Sequence, residues 1–566
     1  MKHIFIAIGG SGTKVAEALV RLLMAGFPTR QDENGYLTSA GDSLQIWRVD
    51  PDRTSGAASS LNNALRDYRN LQNTLQEQGR AGTASSHWAM DVEDTVRHLD
   101  PLQLPRANEH DNEVMTLRGI LDSGGSLKKS SPLLAAFYAE KDLDVELDRG
   151  FYQKPFIGSA VMSIFAKSLE DDNSPGGRVA GLTAFDNTPA NFFLCGSLHG
   201  GTGACGVPVM GRFLHSRRKV KDWPWRVGGC LLAPYCVPPQ PPFRALPEGE
   251  QPAQATVRDL AKRFSNELAF QGMTPEEQEK LVKQILLGFY ADPEAIEARA
   301  RQGLTYYKDH SADYFDELYL VGKPAPDKLK VWSNGGGSQE NPLNSAEFVA
   351  ALSALSFFSA SGKGPTRSYL VGSSNTALDP ERLRLGQLPT YQVGQIEVDP
   401  EKAYLATGLL HHLLLHQIPW DKEARTWPKE LELLRAVYQN DPAQQNTDYT
   451  YFSNAAQLLS SALLFPIHPQ YAIGWHADDI QQLSKFLASE PQSIKDIQGR
   501  LARKSFFNSE AAGVNTLGNL GIKMTTFEFG AWCPTRDKFT RGGYLRHVWT
   551  QLYNRSQPVM AGQVAG

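Results

Sequence analysis

A glycine cluster between an apolar run and a helical pattern is the feature that most constrains this chain of 566 residues. The cluster, S-L-H-G-G-T-G-A-C-G, occupies residues 197–206, after the apolar run 192–195 and before the helical pattern 207–214. This succession predicts a buried strand, a tight turn and a helix. Such a turn lets backbone N–H groups and the positive end of a helix dipole approach a phosphate closely. We therefore expect the chain to bind a nucleotide or another phosphate-bearing ligand.

A second glycine cluster stands near the start of the chain. Residues 2–8 are mostly apolar and predict a strand, and apolar residues recur at helical spacing from Val15 to Leu23. The intervening residues are Gly9, Gly10, Ser11, Gly12 and Thr13. One such turn is as often structural as functional, but two in one chain, each between a strand and a helix, favour phosphate binding.

Two common phosphate-binding motifs fit this first cluster poorly. The P-loop pattern G-x-x-x-x-G-K-[ST] is absent, because the glycines and Lys14 occur in the wrong order. The dinucleotide fingerprint G-x-G-x-x-G matches Gly10 and Gly12 but has Val15 at the third glycine. Asp50 follows a predicted second strand, 44–49, where such a fold binds a ribose hydroxyl. A dinucleotide-dependent enzyme therefore stays open as an alternative.

The two clusters together resemble the tubulin and FtsZ superfamily of GTP-binding, filament-forming proteins. Residues 197–203 match the tubulin form of its signature, S-L-G-G-G-T-G, with His199 at the first glycine. The first cluster resembles the family's first phosphate loop, and Asp50 resembles its acidic residue after the second strand. Residues 150–158 resemble the loop that contacts the γ-phosphate, with Lys154 where the family has asparagine.

Later segments follow in the order that this resemblance implies. Residues 227–232 and 315–321 predict strands, and the first of them precedes a segment that resembles the next nucleotide loop. The apolar helix predicted at 345–359 resembles the helix that links the family's two domains and binds the base from its start. Asn341 and Asn344 are candidates for that contact, although helix caps are the favoured interpretation. Within the superfamily, the chain resembles the bacterial tubulin-like proteins rather than FtsZ or tubulin proper.

The resemblance implies nucleotide contacts from all of these segments. The residues that it implies are Gly9, Gly10, Ser11, Gly12, Thr13, Asp50, Lys154, Pro155, Gly158, Ser197, Leu198, His199, Gly200, Gly201, Thr202, Gly203, Pro234 and Asn344.

The expected fold class is α/β, with a Rossmann-like GTPase domain of tubulin/FtsZ type, a central helix, and a second α+β domain with helical additions. Helical patterns at 61–75 and 91–99 belong to a predicted insertion. The predicted parts are a nucleotide-binding domain over 1–343 with insertions at about 51–149 and 237–312, a linking helix over 344–361, a C-terminal domain over 362–555 and a disordered tail over 556–566.

Composition narrows the classes of function. The formal net charge of -4 gives no basic excess, which makes nucleic acid an unexpected partner. We expect no membrane insertion, because no run of about eighteen apolar residues occurs, and no leader peptide. The five cysteines lack C-x-x-C spacing, which favours neither a zinc site nor a disulfide framework. A reducing cytoplasm is the expected location.

Hydrolysis of GTP is less strongly indicated than binding. In the superfamily, an acidic loop resembling N-x-D-x-x-D reaches the nucleotide of the next subunit and polarises the attacking water. No such motif follows Ser359, and the nearest candidate is Asp379, for which a helix cap before Pro380 is the favoured interpretation.

The resemblance therefore implies a protein that binds GTP or GDP with Mg²⁺ and assembles with its own copies head to tail, with slow hydrolysis or none. The alternative from a different class is a non-polymerising nucleotide-dependent switch or scaffold, acting with a partner protein in a bacterial conflict or defence system.

Overall fold

The computed structural model describes most of the first 360 residues and isolated parts of the remainder. The described residues are 1–32, 35–52, 55–75, 88, 90–103, 115–121, 136–147, 150–151, 154–237, 239–247, 250–270, 273–288, 296–310, 313–321, 330–331, 343–360, 367–371, 389–400, 402–403, 406–407, 410, 546, 549–550 and 553–554. Asn341, Asp379, the tail and most of the predicted C-terminal domain lie outside them.

Within the described residues, eight parallel strands form the central sheet. They are β1 (Lys2–Ile8), β4 (Ser43–Val49), β5 (Asp91–Val92), β6 (Arg97–Leu99), β7 (Ala190–Ser197), β8 (Trp225–Leu232), β10 (Glu317–Val321) and β12 (Arg367–Val371). The order is β12-β10-β8-β7-β1-β4-β5, and β6 also pairs with β4. In register, Ile8 pairs with Val49 of β4, and Ala7 pairs with Cys195 of β7.

In the part of the chain that the structure describes, six further short strands lie outside this sheet. They are β2 (Arg30–Gln31), β3 (Leu37–Thr38), β9 (Cys236–Val237), β11 (Lys330–Val331), β13 (Tyr391–Val393) and β14 (Ile396–Val398). The helices are α1 (Gly9–Met24), α2 (Gly56–Leu75), α3 (Leu117–Leu121), α4 (Glu140–Leu143), α5 (Pro155–Ser168), α6 (Pro175–Ala180), α7 (Gly201–Lys221), α8 (Gln254–Arg263), α9 (Pro275–Leu286), α10 (Ile296–His310) and α11 (Ser345–Ser359).

Helices cover both faces of the sheet, as the hydrophobic faces of a parallel sheet require. Side chains alternate along each strand, so Ile4 and Ile6 enter one core together with Val161 of α5 and Met210 of α7. On the other face, Phe193 of β7 contacts Phe357 of α11, with ring centroids 5.5 Å apart. Helix α1 lies beside α2 and α11.

The main elements match the sequence-based predictions, with one clear error. The strands and helices predicted at 2–8, 44–49, 61–75, 192–195, 227–232, 315–321 and 345–359 are all present within a few residues. The helix predicted at 91–99 is wrong, because this segment forms β5 and β6 beside β4. Val92, Val96 and Leu99 are buried there, so pairing at the sheet edge prevails over the local helical pattern.

Described parts of the predicted C-terminal domain pack against the end of α1. The hydroxyl of Thr407 donates to the carbonyl of Ala25 at 2.6 Å, and Trp549 Nε1 donates to Thr407 Oγ1 at 2.8 Å. The hydroxyl of Tyr391 donates to the carbonyl of Pro28 at 2.9 Å. Distant parts of the chain therefore return to the first helix of the sheet domain.

No helix within the described ranges combines the length and apolar character that crossing a bilayer demands.

Candidate functional site

The chain reverses its direction of travel across the sheet between β1 and β7. From β1 it proceeds to β4 on one side, and it later returns to β7 on the other side of β1. In open parallel sheets, a crevice forms at the carboxyl ends of the strands at such a switch point, and ligands bind there. Ile8 and Ser197 end these two strands, so both glycine clusters of the sequence lie at the crevice.

Two helices begin at this crevice. The first cluster forms the first turn of α1 rather than a separate loop, and α7 begins at Gly201, before the predicted start at Val207. The N-cap residues are Ile8 and Gly200, and no side chain caps either helix. First-turn N–H groups have no partner within a helix, and helix N-termini carry partial positive charge. The pair of N-termini is therefore suited to an anion.

Three separate segments meet around Thr202. A Cβ placed on Gly9 would lie 3.3 Å from Thr202 Cβ, and one placed on Gly150 would lie 3.4 Å from Thr202 Oγ1. Gly9 has φ +72° and Gly150 has φ +107°, which are left-handed conformations that favour glycine. The structure thus brings together the first cluster, the start of the segment 150–158 and the signature 197–203.

Other glycines of these segments serve close packing. A Cβ on Gly12 would lie 2.4 Å from the carbonyl oxygen of Cys195, and one on Gly203 would lie 2.6 Å from the amide nitrogen of Ser197. A Cβ on Gly158 would contact Cys205 Sγ, a clash between α5 and α7. Gly10 differs, because it is exposed and a Cβ there would meet no atom within 4 Å. Gly10 therefore marks the open side of the crevice.

The signature turn is held by its own polar groups. Ser197 Oγ accepts a hydrogen bond from the amide of Gly200 at 3.2 Å. The amide of Leu198 donates to the carbonyl of Leu232 at 2.8 Å. The Leu198 side chain is buried in the core. The predicted contact residues Ser197 and Leu198 therefore shape the turn, while Gly200 and Gly201 are its partly exposed members.

The remaining predicted contact residues have structural partners of their own. Thr13 Oγ1 donates to the carbonyl of Gly9 at 3.0 Å. Lys154 is the N-cap residue of α5, whose first residue is Pro155, and its ammonium group pairs with Asp142. Pro234 lies two residues after the end of β8 and is buried.

Asn344 caps α11, which confirms the interpretation favoured from the sequence. Its side-chain oxygen accepts from the amide of Ala346 at 2.9 Å, and the Glu347 carboxylate accepts from the amide of Asn344 at 2.8 Å. This reciprocal pair is a capping box, which satisfies N–H groups at the helix start.

Asp50 is buried beside the first turn of α1, since it follows Val49, the partner of Ile8. Its Oδ2 atom lies 3.4 Å from Arg48 Nη2, and its Oδ1 atom accepts from the amide of Asp52 at 3.2 Å. Burial raises the pKa of Asp50 to about 7, although the Arg48 charge opposes this rise. The carboxyl group can therefore exchange a proton near neutral pH.

A buried polar network, which was not predicted from the sequence, joins the first cluster to α11. The Tyr235 hydroxyl lies 2.6 Å from Glu347 Oε1 and 3.1 Å from Ser11 Oγ. Lys14 Nζ lies 3.6 Å from the same Glu347 oxygen. A sequence signal was present, because Glu347 is the only charged residue of the apolar helix 345–359.

Burial governs the electrostatics of this network. It raises the pKa of Glu347 and lowers the pKa of Lys14, and in each case the opposite charge of the other residue counteracts the shift. Burial also raises the pKa of Tyr235 well above its usual range, so its hydroxyl stays protonated and donates to the carboxylate. The network therefore links the first turn of α1 to the start of α11 through hydrogen bonds and an ion pair.

His199 lies in the turn between β7 and α7, directly before the N-cap residue Gly200. It is 8% exposed, and its ring stands edge-on to Tyr235 with centroids 5.8 Å apart. Burial lowers the pKa of His199 to about 4, so the imidazole is neutral at physiological pH. In the described part of the chain, no group of three or more His, Cys, Asp or Glu side chains is arranged to hold a metal ion.

The fold and this geometry define an α/β domain with a parallel sheet and an anion-suited crevice at its switch point. No protein-family model matches the chain, no curated protein matches it, and no solved structure matches it.

Proposed function

We propose that the chain binds GTP or GDP, together with Mg²⁺, in the crevice between the first turns of α1 and α7. We further propose that it assembles head to tail in the manner of the tubulin and FtsZ superfamily. The observation that carries the proposal is the meeting of two glycine-rich helix N-termini and the Gly150 segment around Thr202 at the switch point.

The residues present suit a di- or triphosphate. Phosphate oxygens accept hydrogen bonds from first-turn N–H groups, and the two positive helix ends favour their charge. Gly10 leaves room for close approach, since no atom lies within 4 Å of the position of its missing Cβ. Mg²⁺ would bridge phosphate oxygens and keep several waters, so the chain need supply few or no metal ligands.

Assembly and hydrolysis are proposed from the resemblance of the signature S-L-H-G-G-T-G to that of the superfamily. A head-to-tail contact repeats without limit and produces an open filament unless its rotation closes a ring. We propose slow hydrolysis or none, because the acidic motif of the superfamily is not recognisable after Ser359. No catalytic acid is assigned.

A thermal-shift panel of GTP, GDP, ATP and NAD with Mg²⁺, followed by sedimentation with the stabilising ligand, tests the proposal. Stabilisation by GTP with a pellet supports binding and assembly. Stabilisation without a pellet supports the alternative of a switch or scaffold that acts with a partner protein. No stabilisation by any of the four overturns the proposed nucleotide site.

The variant Gly201→Asp gives a sharper test of the site itself. Gly201 is the first residue of α7, where an acidic residue suits the helix dipole, so the fold should be kept. Its carboxylate should repel phosphate and weaken nucleotide binding at least about tenfold relative to the neutral isostere Gly201→Asn. Equal affinities of the two variants would place the ligand elsewhere.

A dinucleotide-dependent enzyme is the second candidate function, and one observation favours it. The strands continue outward on both sides of β1 in the order known from dinucleotide-binding folds, and Asp50 follows β4 as in those folds. Stabilisation by NAD but not by GTP in the same panel would select this candidate.

A further inference from the structure

His199 occupies a position that the packing of the signature turn does not explain. It lies between Leu198 and Gly200, the N-cap residue of α7. Its side chain is more than nine-tenths buried. A large, ionisable side chain at this position needs a polar partner, because burial of an unpaired polar group is unfavourable.

The imidazole meets such a partner on one side only. Its Nε2 atom lies 4.0 Å from Cys236 Sγ, on the far side of the ring from the backbone. Its Nδ1 atom, on the backbone side, is buried and has no hydrogen-bond partner in the structure. Buried nitrogen atoms of this kind are rare in native proteins and call for a specific explanation.

The surroundings of the ring supply little fixed charge. Burial raises the pKa of the Cys236 thiol to about 12 and that of Tyr235 well above its usual range, so both groups are neutral. Beyond Tyr235, the charges of Lys14 and Glu347 face each other at 3.6 Å. An anion in the crevice would therefore be the strongest new charge near His199.

We propose that His199 is a phosphate-binding residue that takes up a proton when the ligand binds. This inference rests on the proposed nucleotide site. The proton comes from solvent and is held on the imidazole, whose Nδ1–H donates to a phosphate oxygen. The charged hydrogen bond supplies the partner that Nδ1 lacks in the free protein.

The pH dependence of ligand affinity follows from the pKa of His199 in the free protein and in the ligand-bound protein. In the free protein the pKa of His199 is lowered to about 4 by burial. An opposite charge within about 4–6 Å raises the pKa of the bound protein above this value. Between the two values, binding takes up one proton, so affinity increases as the pH falls, by at most about tenfold for each pH unit.

The experiment measures the dissociation constant of GDP with Mg²⁺ between pH 5.5 and 8.5 for the full chain and the variant His199→Asn. Asparagine keeps an amide near the position of Nδ1 but does not titrate. We expect acidification to strengthen binding more in the wild type, with the ratio of the two affinities changing about tenfold across this range. The titration of GDP itself is common to both proteins and cancels in the ratio.

His215→Asn is the matched control. His215 lies on the same helix, where its Nδ1 atom is 3.1 Å from Arg218 Nη2, about 20 Å along the axis from the start of α7. This variant should keep the pH profile of the wild type.

Calorimetry of the wild type in buffers of different ionisation enthalpy needs no variant. The measured quantity is the number of protons that the protein takes up when GDP binds, after correction for the titration of GDP itself. A number that increases toward one as the pH is lowered supports the inference. Parallel pH profiles of wild type and His199→Asn, or no proton uptake by the protein, overturn it while leaving the nucleotide site intact. Failure of the wild type to bind GDP at any pH overturns the proposed function as well.

Discussion

The hydroxyl of Tyr235 donates a hydrogen bond of 2.6 Å to Oε1 of Glu347, which joins the segment after β8 to the start of α11. Glu347 is fully buried, and its other carboxylate oxygen accepts from the amide of Asn344. Because Tyr235 also contacts Ser11 in the first turn of α1, this one side chain connects both ends of the buried network.

Removal of this hydroxyl should destabilise the fold. In Tyr235→Phe, a buried carboxylate loses a donor, which costs about 1–3 kcal/mol of unfolding free energy. Chemical denaturation of the two proteins measures the difference. Tyr306→Phe is the control and should have little effect, since Tyr306 is 41% exposed. Equal stabilities of Tyr235→Phe and the wild type would contradict the importance of this bond.

Gly10 and Gly12 should respond differently to the same substitution. Gly12→Ala should lower the unfolding free energy by about 1–3 kcal/mol, because its Cβ would lie 2.4 Å from the carbonyl oxygen of Cys195. Gly10→Ala should keep or slightly raise stability, since alanine favours helix and its Cβ meets no neighbour.

Gly10→Ala should nevertheless affect nucleotide binding. If phosphate approaches the open side of α1, the added Cβ of Gly10→Ala should weaken binding although the fold is unchanged. Isothermal titration beside denaturation separates the two effects. Unweakened binding by Gly10→Ala would mean that the ligand does not approach this turn.

Substitution of Asn344 tests whether this residue caps α11 or contacts the base of the nucleotide. Asn344→Ala should cost about 1 kcal/mol of unfolding free energy through loss of the cap, and Asn344→Ser should restore most of it. The ratio of GTP to ATP affinity should stay constant in both variants, because the side-chain oxygen of Asn344 is bonded to the amide of Ala346. A changed ratio would show that Asn344 contacts the base.

Lys154 offers a similar choice between an ion pair and a phosphate contact. The structure pairs its ammonium group with Asp142, and both side chains are mostly buried. Lys154→Met, Asp142→Asn and the double variant should form a cycle with a coupling energy of about 1 kcal/mol. The ratio of GTP to GDP affinity should be unaffected, whereas a selective loss of GTP binding by Lys154→Met would assign the lysine to the γ-phosphate.

Local patterns were sufficient to predict the elements that form the crevice. The apolar runs 2–8 and 192–195, each followed by glycines and a helical pattern, gave the strand and helix pairs β1–α1 and β7–α7. They succeeded because hydrophobic periodicity and glycine turns act over a few residues. The helix prediction for 91–99 is wrong because the strands of this segment form only through pairing with β4.

The local pattern of residues is enough to establish that two glycine-rich segments each follow a buried strand and begin a helix. Tertiary packing alone makes β1 and β7 neighbours and brings Gly9 and Gly150 against Thr202. It also decided which glycines pack and which stay open, and it placed Tyr235, Lys14 and Glu347 in one network. These contacts join residues as far apart as 14 and 347 in the chain, so they depend on strand order and burial, which no local pattern encodes.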